Sequence, residues 1–388
     1  MNDVLHQRRA SIVGLGIAVP EHSATQAQTM VLAKAISNPV AAVVLNETEC
    51  DPPRRAKRPG ALIEALYQRS GINQRGSVLL SATDAASPDP VQTFFGAGRS
   101  PPGTGERMLA YAEHAPALAA RASRMAMEEA ACSGASVTHL ITVSCTGFAA
   151  PGVDIELFDR LGLRSDVART HVGFMGCHGA INALRIADAI ATSVTDAVVL
   201  VVCVELCSLH LQHTDRADQH VANALFADGA AACIVTSEHR GHPITLTASK
   251  LMPDSRDCMS WSVTDHGFAM TLSQSVPDVI REHLAGWLSP IIERVGGAVR
   301  WAVHPGGPRI LDAVRDSMRL DESAVAASRD VLRQHGNMSS ATVLFILARL
   351  IANGDSADGM ATVLLAFGPG LAAELAIIGP KTVADRTQ

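Results

Sequence analysis

The feature that most constrains this chain is an alternation of short, apolar, β-rich runs with longer Ala-rich stretches of helical periodicity. HLITVSC leads to a helical segment over residues 154–161, then THVGFM, then AINALRIADAIA, then DAVVLVVCVE. Apolar strands alternating with helices predict an α/β protein whose strands are buried on both faces. The last third repeats the style with RWAVH, a helix beginning near Arg309, another near Ser339, and ATVLLAFGPG. The polar stretch SEHRGHP separates the two series, so two α/β halves are expected, residues 1–240 and 241–388. With 388 residues and 47% hydrophobic content, the chain can bury cores of that size.

One segment breaks the alternation. Residues 81–105, SATDAASPDPVQTFFGAGRSPPGTG, are rich in Pro, Gly and Ser and read as a surface excursion. The helix expected after it, through MLAYAEHAPALAARASRMAMEEAA, contains Pro116, which should kink or restart it.

Charge and composition remove several functions. Lys and Arg number 32 against 38 Asp and Glu, a net charge of -6, and the basic residues are spread along the chain, so no nucleic-acid partner is expected. The apolar run 196–207 is too short to span a bilayer, and the run 361–378 is interrupted by Gly368, Pro369 and Gly370, so no integral membrane segment is expected. The first residues lack the pattern of a signal peptide. Eight cysteines, at positions 50, 132, 145, 177, 203, 207, 233 and 258, lie mostly in apolar or Gly-rich runs, which fits a reducing, cytoplasmic location. Cys203 and Cys207, with His210 and His213 nearby, superficially suggest zinc. Three residues separate the cysteines and Cys203 lies in a strand-like run, so no metal is expected.

The sharpest chemical signal is GFMGCHGAINALRIADAIA, where Cys177 sits between glycines at a strand-to-helix turn. A thiol at a helix N-terminus faces unpaired N–H groups and the positive end of the helix dipole, which favours the thiolate. A buried structural cysteine accounts for this segment equally well. In WAVHPGGPRILDAV, His304 ends a β-rich run before a Pro-Gly-Gly-Pro turn, where it could take the cysteine proton and, as imidazolium, hold the thiolate beside it. In RQHGNMSSATVLFILARL, Asn337 stands before a helix, where its amide could polarise a thioester carbonyl or simply cap the helix. All three residues fall at strand-to-helix junctions, where open α/β sheets place their sites.

The strings around Cys177, HPGGPRILD and GNMSSATVLFIL, with ALFADGAA and AFGPGL, resemble the chalcone and stilbene synthase family, the type III polyketide synthases. The matching motifs run from about residue 138 to 375, in the order Cys, His, Asn. The resemblance implies a thiolase-like fold of two duplicated αβαβα halves in a five-layered sandwich. It implies that Cys177 takes a starter acyl group from acyl-CoA, and that His304 and Asn337 support the transfer and stabilise the enolate left when malonyl-CoA loses carbon dioxide. Phe226 matches an aromatic gatekeeper, Met270 occupies the place of a second family Phe with Phe268 close by, and Gly368, Pro369 and Gly370 match a scaffolding loop.

Cys145, Cys207 and His210 fall at cavity positions that are Thr in plant members, Trp261 replaces a Gly, and Ser339 lies beside the site. Larger side chains there predict a reshaped, narrower cavity that disfavours a bulky aromatic starter. For CoA, only Arg69 falls in register; Arg58, with Arg54, Arg55 and Lys57, forms a nearby cluster that reads more readily as a solvated basic turn. Glu205 reads as a structural carboxylate. The family further implies a homodimer, with the loop near Ala150 touching the partner's cavity, and no cofactor beyond acyl-CoA and malonyl-CoA as substrates, because decarboxylation drives the condensation. The product class, resorcinol, pyrone or another polyhydroxy-aromatic, stays open.

Rival readings have their own marks. An initiating β-ketoacyl-ACP synthase shares Cys, His and Asn but carries an Asn shortly after the His, where this chain reads HPGGP. A thiolase needs a later cysteine, and none follows Cys258. A papain-like hydrolase would show its own pattern around the nucleophile. A non-catalytic acyl-CoA-binding scaffold has no need of the triad.

Overall fold

The computed structural model describes residues 9–37, 59–81, 92–96, 100–214, 216–238, 240–354 and 359–382. The elements begin with β1 (Ser11–Ala18), β2 (Ser23–Thr25), α1 (Gln26–Ile36), α2 (Pro59–Gln68), β3 (Gln74–Gly76), α3 (Thr104–Glu129), β4 (His139–Ser144) and α4 (Val153–Leu161). There follow β5 (Ala168–Gly173), α5 (Gly179–Ser193), β6 (Val198–Leu206), α6 (Ala217–Leu225), β7 (Asp228–Thr236), β8 (His242–Leu251), β9 (Met259–Thr264) and β10 (Gly267–Leu272). The last are α7 (Val276–Arg294), β11 (Val299–Val303), α8 (Pro308–Met318), α9 (Ala326–His335), α10 (Thr342–Ala352), β12 (Ala361–Gly368) and β13 (Ala372–Ile378).

Local chemistry sets the ends of these elements. Thr25 and Gln28 form a reciprocal capping box at the start of α1. Gly162, in the left-handed region at φ 62°, ends α4. Pro308 opens α8, where its missing N–H costs nothing.

Nine strands among the described residues form one sheet in the order β11-β12-β13-β8-β1-β7-β6-β4-β5. β5, β4 and β6 run parallel, as do β11 and β12, and the strands between them are antiparallel. Only two residue pairs, Ser11 with Pro243 and Ile12 with His242, join β1 to β8.

Three apolar cores lie against this sheet. The central one buries α5 and α10 together, packed on strands from both ends of the sheet. A second packs α3 and α4 on the far side of β4, β6 and β7, and a third packs α7 and α8 on the far side of β11, β12 and β13. The two ends of the one sheet therefore form two layers with α5 and α10 between them and α3, α4 and α7, α8 outside. Each fully buried large aliphatic side chain, such as Leu184 or Leu344, contributes about 1.5–3 kcal/mol.

Two expectations are corrected. Residues Thr104–Glu129 form a single helix through Pro116, which is buried, so the expected restart at that proline does not occur. Segment 81–105, in its described part, is more than a surface excursion: Phe95 is buried and lies under the Arg107 guanidinium, 5.2 Å from its carbon. As expected from its sequence run, Cys203 is buried in β6. No described helix is long and apolar enough to cross a membrane.

The contact of β1 with α3 leaves no room for side chains at Gly14 and Gly16. A Cβ at Gly16 would lie 2.1 Å from the carbonyl oxygen of Ala122, and one at Gly14 equally close to that of Ala126. Gly16→Val should lower stability by about 1–3 kcal/mol or more through overpacking, read as a lower urea midpoint. An unchanged midpoint would mean that the helix can lift from the strand without cost.

Candidate active site

After β5, the chain turns through Phe174 (φ 63°) and Gly176 (φ 75°) into a 3₁₀ turn, Gly176–His178, that carries Cys177 and continues into α5. A Cβ at Gly176 would sit 2.4 Å from Pro369 Cδ, and one at Gly368 would sit 2.4 Å from His178 Cδ2. The Gly368-Pro369-Gly370 turn is thus pressed against the cysteine turn. The Gly176 N–H donates to Cys145 Sγ at 2.9 Å, and His178 Nδ1 pairs with Asn182 Oδ1 at 2.7 Å.

His304 and Asn337 arrive from the other end of the sheet. His304 follows β11 and prolongs its ladder, its N–H donating to Leu365 O at 2.8 Å. Asn337 lies on a backbone bridge to Phe226: its N–H donates to Leu225 O at 2.9 Å, and its carbonyl accepts from Ala227 N at 2.8 Å. The Ser339 N–H donates to Asn337 Oδ1 at 2.8 Å, which leaves the amide NH₂ as the free end. The side chains of Ser339 and Asn337 both favour the charged form of the Cys177 sulfur.

Two connected chambers meet at this point. The smaller, about 20 Å³ open to the centre of a water-sized sphere, is bordered by Cys177, His304, Asn337, Phe226 and Phe367, and has room for about one oxygen-sized group. The larger, about 170 Å³ by the same measure, runs past Cys145, Cys207 and His210 towards Leu32 and Tyr67. Cys177, Phe226, Met259 and Met270 border both and form the throat between them.

Burial dominates the electrostatics. It pushes the Cys177 thiol up to about 12, against the downward pull of Ser339 and Asn337. It pushes His304 down to about 3, with His178 adding to the effect, and no described protein group pairs with either ring nitrogen. The expectation of a resting thiolate is therefore corrected: desolvation outweighs the helix end, and thiol beside neutral imidazole is the favoured pair. Behind the cysteines, Glu205 is fully buried and accepts from Cys145 N at 3.0 Å, Thr146 Oγ1 at 2.8 Å and Ser340 Oγ. Burial raises it to about 7.

A deep apolar cavity ending on a buried cysteine, histidine and asparagine suits acyl-thioester chemistry, and comparison with known proteins decides the family. Residues 2–239 match the N-terminal domain, and residues 243–380 the C-terminal domain, of chalcone and stilbene synthases. The chain belongs to the chalcone and stilbene synthase family. It is a type III polyketide synthase, an acyltransferase. It is 32% identical over 337 residues, 84% of its length and 82% of the relative's, to the alpha-pyrone synthesis polyketide synthase-like protein Pks18 of Mycobacterium tuberculosis. It is 33% identical over 329 residues, 82% of its length and 83% of the relative's, to 1,3,6,8-tetrahydroxynaphthalene synthase of Streptomyces peucetius. Its fold is that of polyketide synthase PKS-I from the brown alga Ectocarpus siliculosus, with a TM-score of 0.84 and 26% identity over 97% of this chain and 98% of the other. The type III domain of Steely1 from Dictyostelium gives a TM-score of 0.80 at 25% identity, covering 97% of this chain and 100% of that one. The fold is thiolase-like.

The synthase gathers most of the expected residues around its chambers: Cys145, Cys177, Cys207, His210, Phe226, Trp261, Met270, His304, Asn337, Ser339 and Pro369 all line them. Met270 stands at the throat, while Phe268 lines only the larger chamber, stacked on His210 at 3.9 Å and on Trp261 at 4.8 Å. His210 is fixed as the neutral ring, Nε2–H donating to Thr146 O at 2.7 Å and Nδ1 accepting from Phe268 N at 3.2 Å. Gly368 and Gly370 shape the turn without lining the chambers, and Arg69 is exposed and lines neither. Arg58 and the cluster with it lie outside the described residues. No group of three or more potential ligands among the described residues could hold a metal ion. Sequence reasoning missed Met259, which the period-two alternation with Trp261 along β9 could have exposed, and His178, for which no local pattern gives a signal.

Glu205 has a measurable consequence for the synthase. Its folded value of about 7 exceeds the ordinary 4.5, so its contribution to stability is fully present below 4.5 and is lost as pH rises through 7. His304 carries the opposite trend but is common to both proteins in the comparison with Glu205→Gln. The stability gap between wild type and this variant should therefore move in the variant's favour from pH 4.5 to pH 8, measured by denaturant unfolding. A gap independent of pH would show that Glu205 ionises as freely in the fold as in water.

Proposed function

We propose that the synthase loads an acyl group from acyl-CoA onto Cys177 and extends it with malonyl-CoA. The supporting observation is the buried His304 ring, with both nitrogens unpaired, bordering a one-atom chamber shared with Cys177 and Asn337. An unpaired buried polar group costs about 1–3 kcal/mol, which a substrate oxygen in that chamber would recover.

The Cys177 sulfur attacks the thioester carbon, its proton passes to His304, and the CoA sulfur leaves and takes that proton away as the free thiol. Malonyl-CoA then loses carbon dioxide, and the electron pair of the broken C–C bond becomes an enolate. The enolate oxygen takes hydrogen bonds from Asn337 and from His304 in the tautomer that presents N–H to the chamber. Its carbon attacks the acyl-Cys177 carbonyl, forming the new C–C bond and expelling the Cys177 sulfur. Only at the moment of transfer does the sulfur need its charge, so the neutral resting pair keeps the nucleophile from premature side reaction.

The stack of His210, Phe268 and Trp261 supports a cavity narrowed on the β9–β10 side and therefore a slim acyl starter, with cyclisation to a resorcinol, pyrone or other polyhydroxy-aromatic product. The chain is further proposed to consist of two thiolase-like halves, 1–240 carrying Cys177 and 241–388 carrying His304 and Asn337, and to work in the cytoplasm as a homodimer. Phe148 and Phe174 are half-exposed beside the Ala150 loop, and Phe174 touches Trp261 at 5.6 Å, so a partner seated there would bear on the cavity wall.

Incubation with malonyl-CoA and a panel of acyl-CoA starters, followed by mass spectrometry, tests the reading. Cys177→Ala should abolish condensation, and Asn337→Ala should slow malonyl-CoA decarboxylation by about 10²–10³-fold. A Cys177→Ala protein that still makes product would refute the reading. Trp261→Gly should lengthen or alter the product, and an identical product profile would remove Trp261 from the list of cavity determinants.

A further inference from the structure

The last carbonyls of α6 lead directly into Phe226, and a helix end leaves such carbonyls without intrahelical partners. Each is taken up by a group from elsewhere in the chain. Asn223 O accepts from Arg75 Nη1 at 2.8 Å and from Tyr67 Oη at 3.2 Å, and Ala224 O accepts from Gln26 Nε2 at 2.8 Å. Leu225 O accepts from the N–H of Asn337, and Phe226 O accepts from the same Arg75 Nη1 at 2.7 Å.

Arg75 also reaches the other side of the site. It is 8% exposed, its carbon lies 5.7 Å from the Tyr67 ring centre, and no carboxylate among the described residues pairs with it. Its stem rests on the turn before Asn337: a Cβ at Gly336, where φ is 74°, would come 3.0 Å from Arg75 Cγ and 3.1 Å from Cδ. One side chain therefore grips the carbonyl of the throat residue and lies against the backbone that aims the amide. A cation suits the negative end of a helix, so capping alone is one account of this contact. It leaves unexplained why the same side chain also rests on the turn before Asn337, which is joined to the throat segment by the bonds of Asn337 to Leu225 O and Ala227 N.

We propose that Arg75 is a positioning residue, holding Phe226 and Asn337 as one unit so that the amide meets the enolate oxygen in line with the throat. This rests on the role assigned to Asn337 above. A small misplacement of a catalytic group costs up to about 100-fold in rate. The proposal thus predicts a loss in kcat that is coupled to Asn337, whereas a purely structural role predicts losses that multiply independently.

The test is a double-mutant cycle on full-length enzyme, with carbon dioxide release from malonyl-CoA as the assay. Arg75→Gln should lower kcat by about 10- to 100-fold with the malonyl-CoA KM within about threefold of wild type. Arg75→Lys, which keeps the charge and donors, should recover part of the loss. In an Asn337→Ala background, the same Arg75→Gln change should cost less than about threefold. The clamp is overturned if Arg75→Gln matches wild type, or if its loss persists undiminished beside Asn337→Ala. Should Arg75→Gln fail to fold, Arg75→Met carries the cycle with the same criteria. A wild-type enzyme that releases no carbon dioxide would instead overturn the catalytic reading, and the clamp with it.

Discussion

The site exists because α5 and α10 are buried in one apolar core. Cys177 rides on the turn into α5 and Asn337 lies just ahead of the turn into α10, so each residue takes its place from a helix fixed by packing on strands from both ends of the sheet. His304 is set by the strand beside β12, whose far end turns at Pro369 against the cysteine turn. The requirement for glycine at position 176 follows directly: any side chain there would force the two ends of the sheet apart. The geometry of the three residues is in this sense a by-product of close packing, where displacements of a few tenths of an ångström are resisted by the whole core.

The same packing sets the charge state. Desolvation lifts the Cys177 thiol and depresses the His304 imidazole, and the raised Glu205 behind them would oppose a thiolate further once ionised. Neutral groups in a dry chamber carry little reorganisation cost, and hydrogen-bond donors fixed there act more strongly on a developing oxyanion than they would in water. Helix-dipole reasoning from the sequence predicts a thiolate at Cys177. It lost to burial because the sulfur lies within the 3₁₀ turn, ahead of α5, and is almost wholly out of water.

Strand-helix alternation and the family strings made the layer architecture, the three polar residues and the cavity wall legible in the sequence. Each lies in a segment whose local pattern fixes its place: a tight Gly-flanked turn for Cys177, a strand end before Pro-Gly-Gly-Pro for His304, a Gly-Asn turn for Asn337. What escaped depends on contacts between distant segments. Pro116 passes through an unbroken helix because α3 is buried along much of its length against β1 and the strands beyond. Phe95 lies inward beneath a buried guanidinium, although the Pro-, Gly- and Ser-rich segment around it suggests solvent. Nothing local in GINQRGSV announces that Arg75 is buried, bonds the Phe226 carbonyl and rests against Gly336.

The central claim is that one sulfur among several lining the cavity is set apart by its neighbours. Mixing the enzyme with a short acyl-CoA in the absence of malonyl-CoA, quenching in acid and mapping the adduct by peptide mass spectrometry puts this directly to the test. The account predicts that the acyl mass appears on the peptide containing Cys177 alone. An adduct on Cys145 or Cys207, which border the same cavity, or no adduct at all, would contradict it.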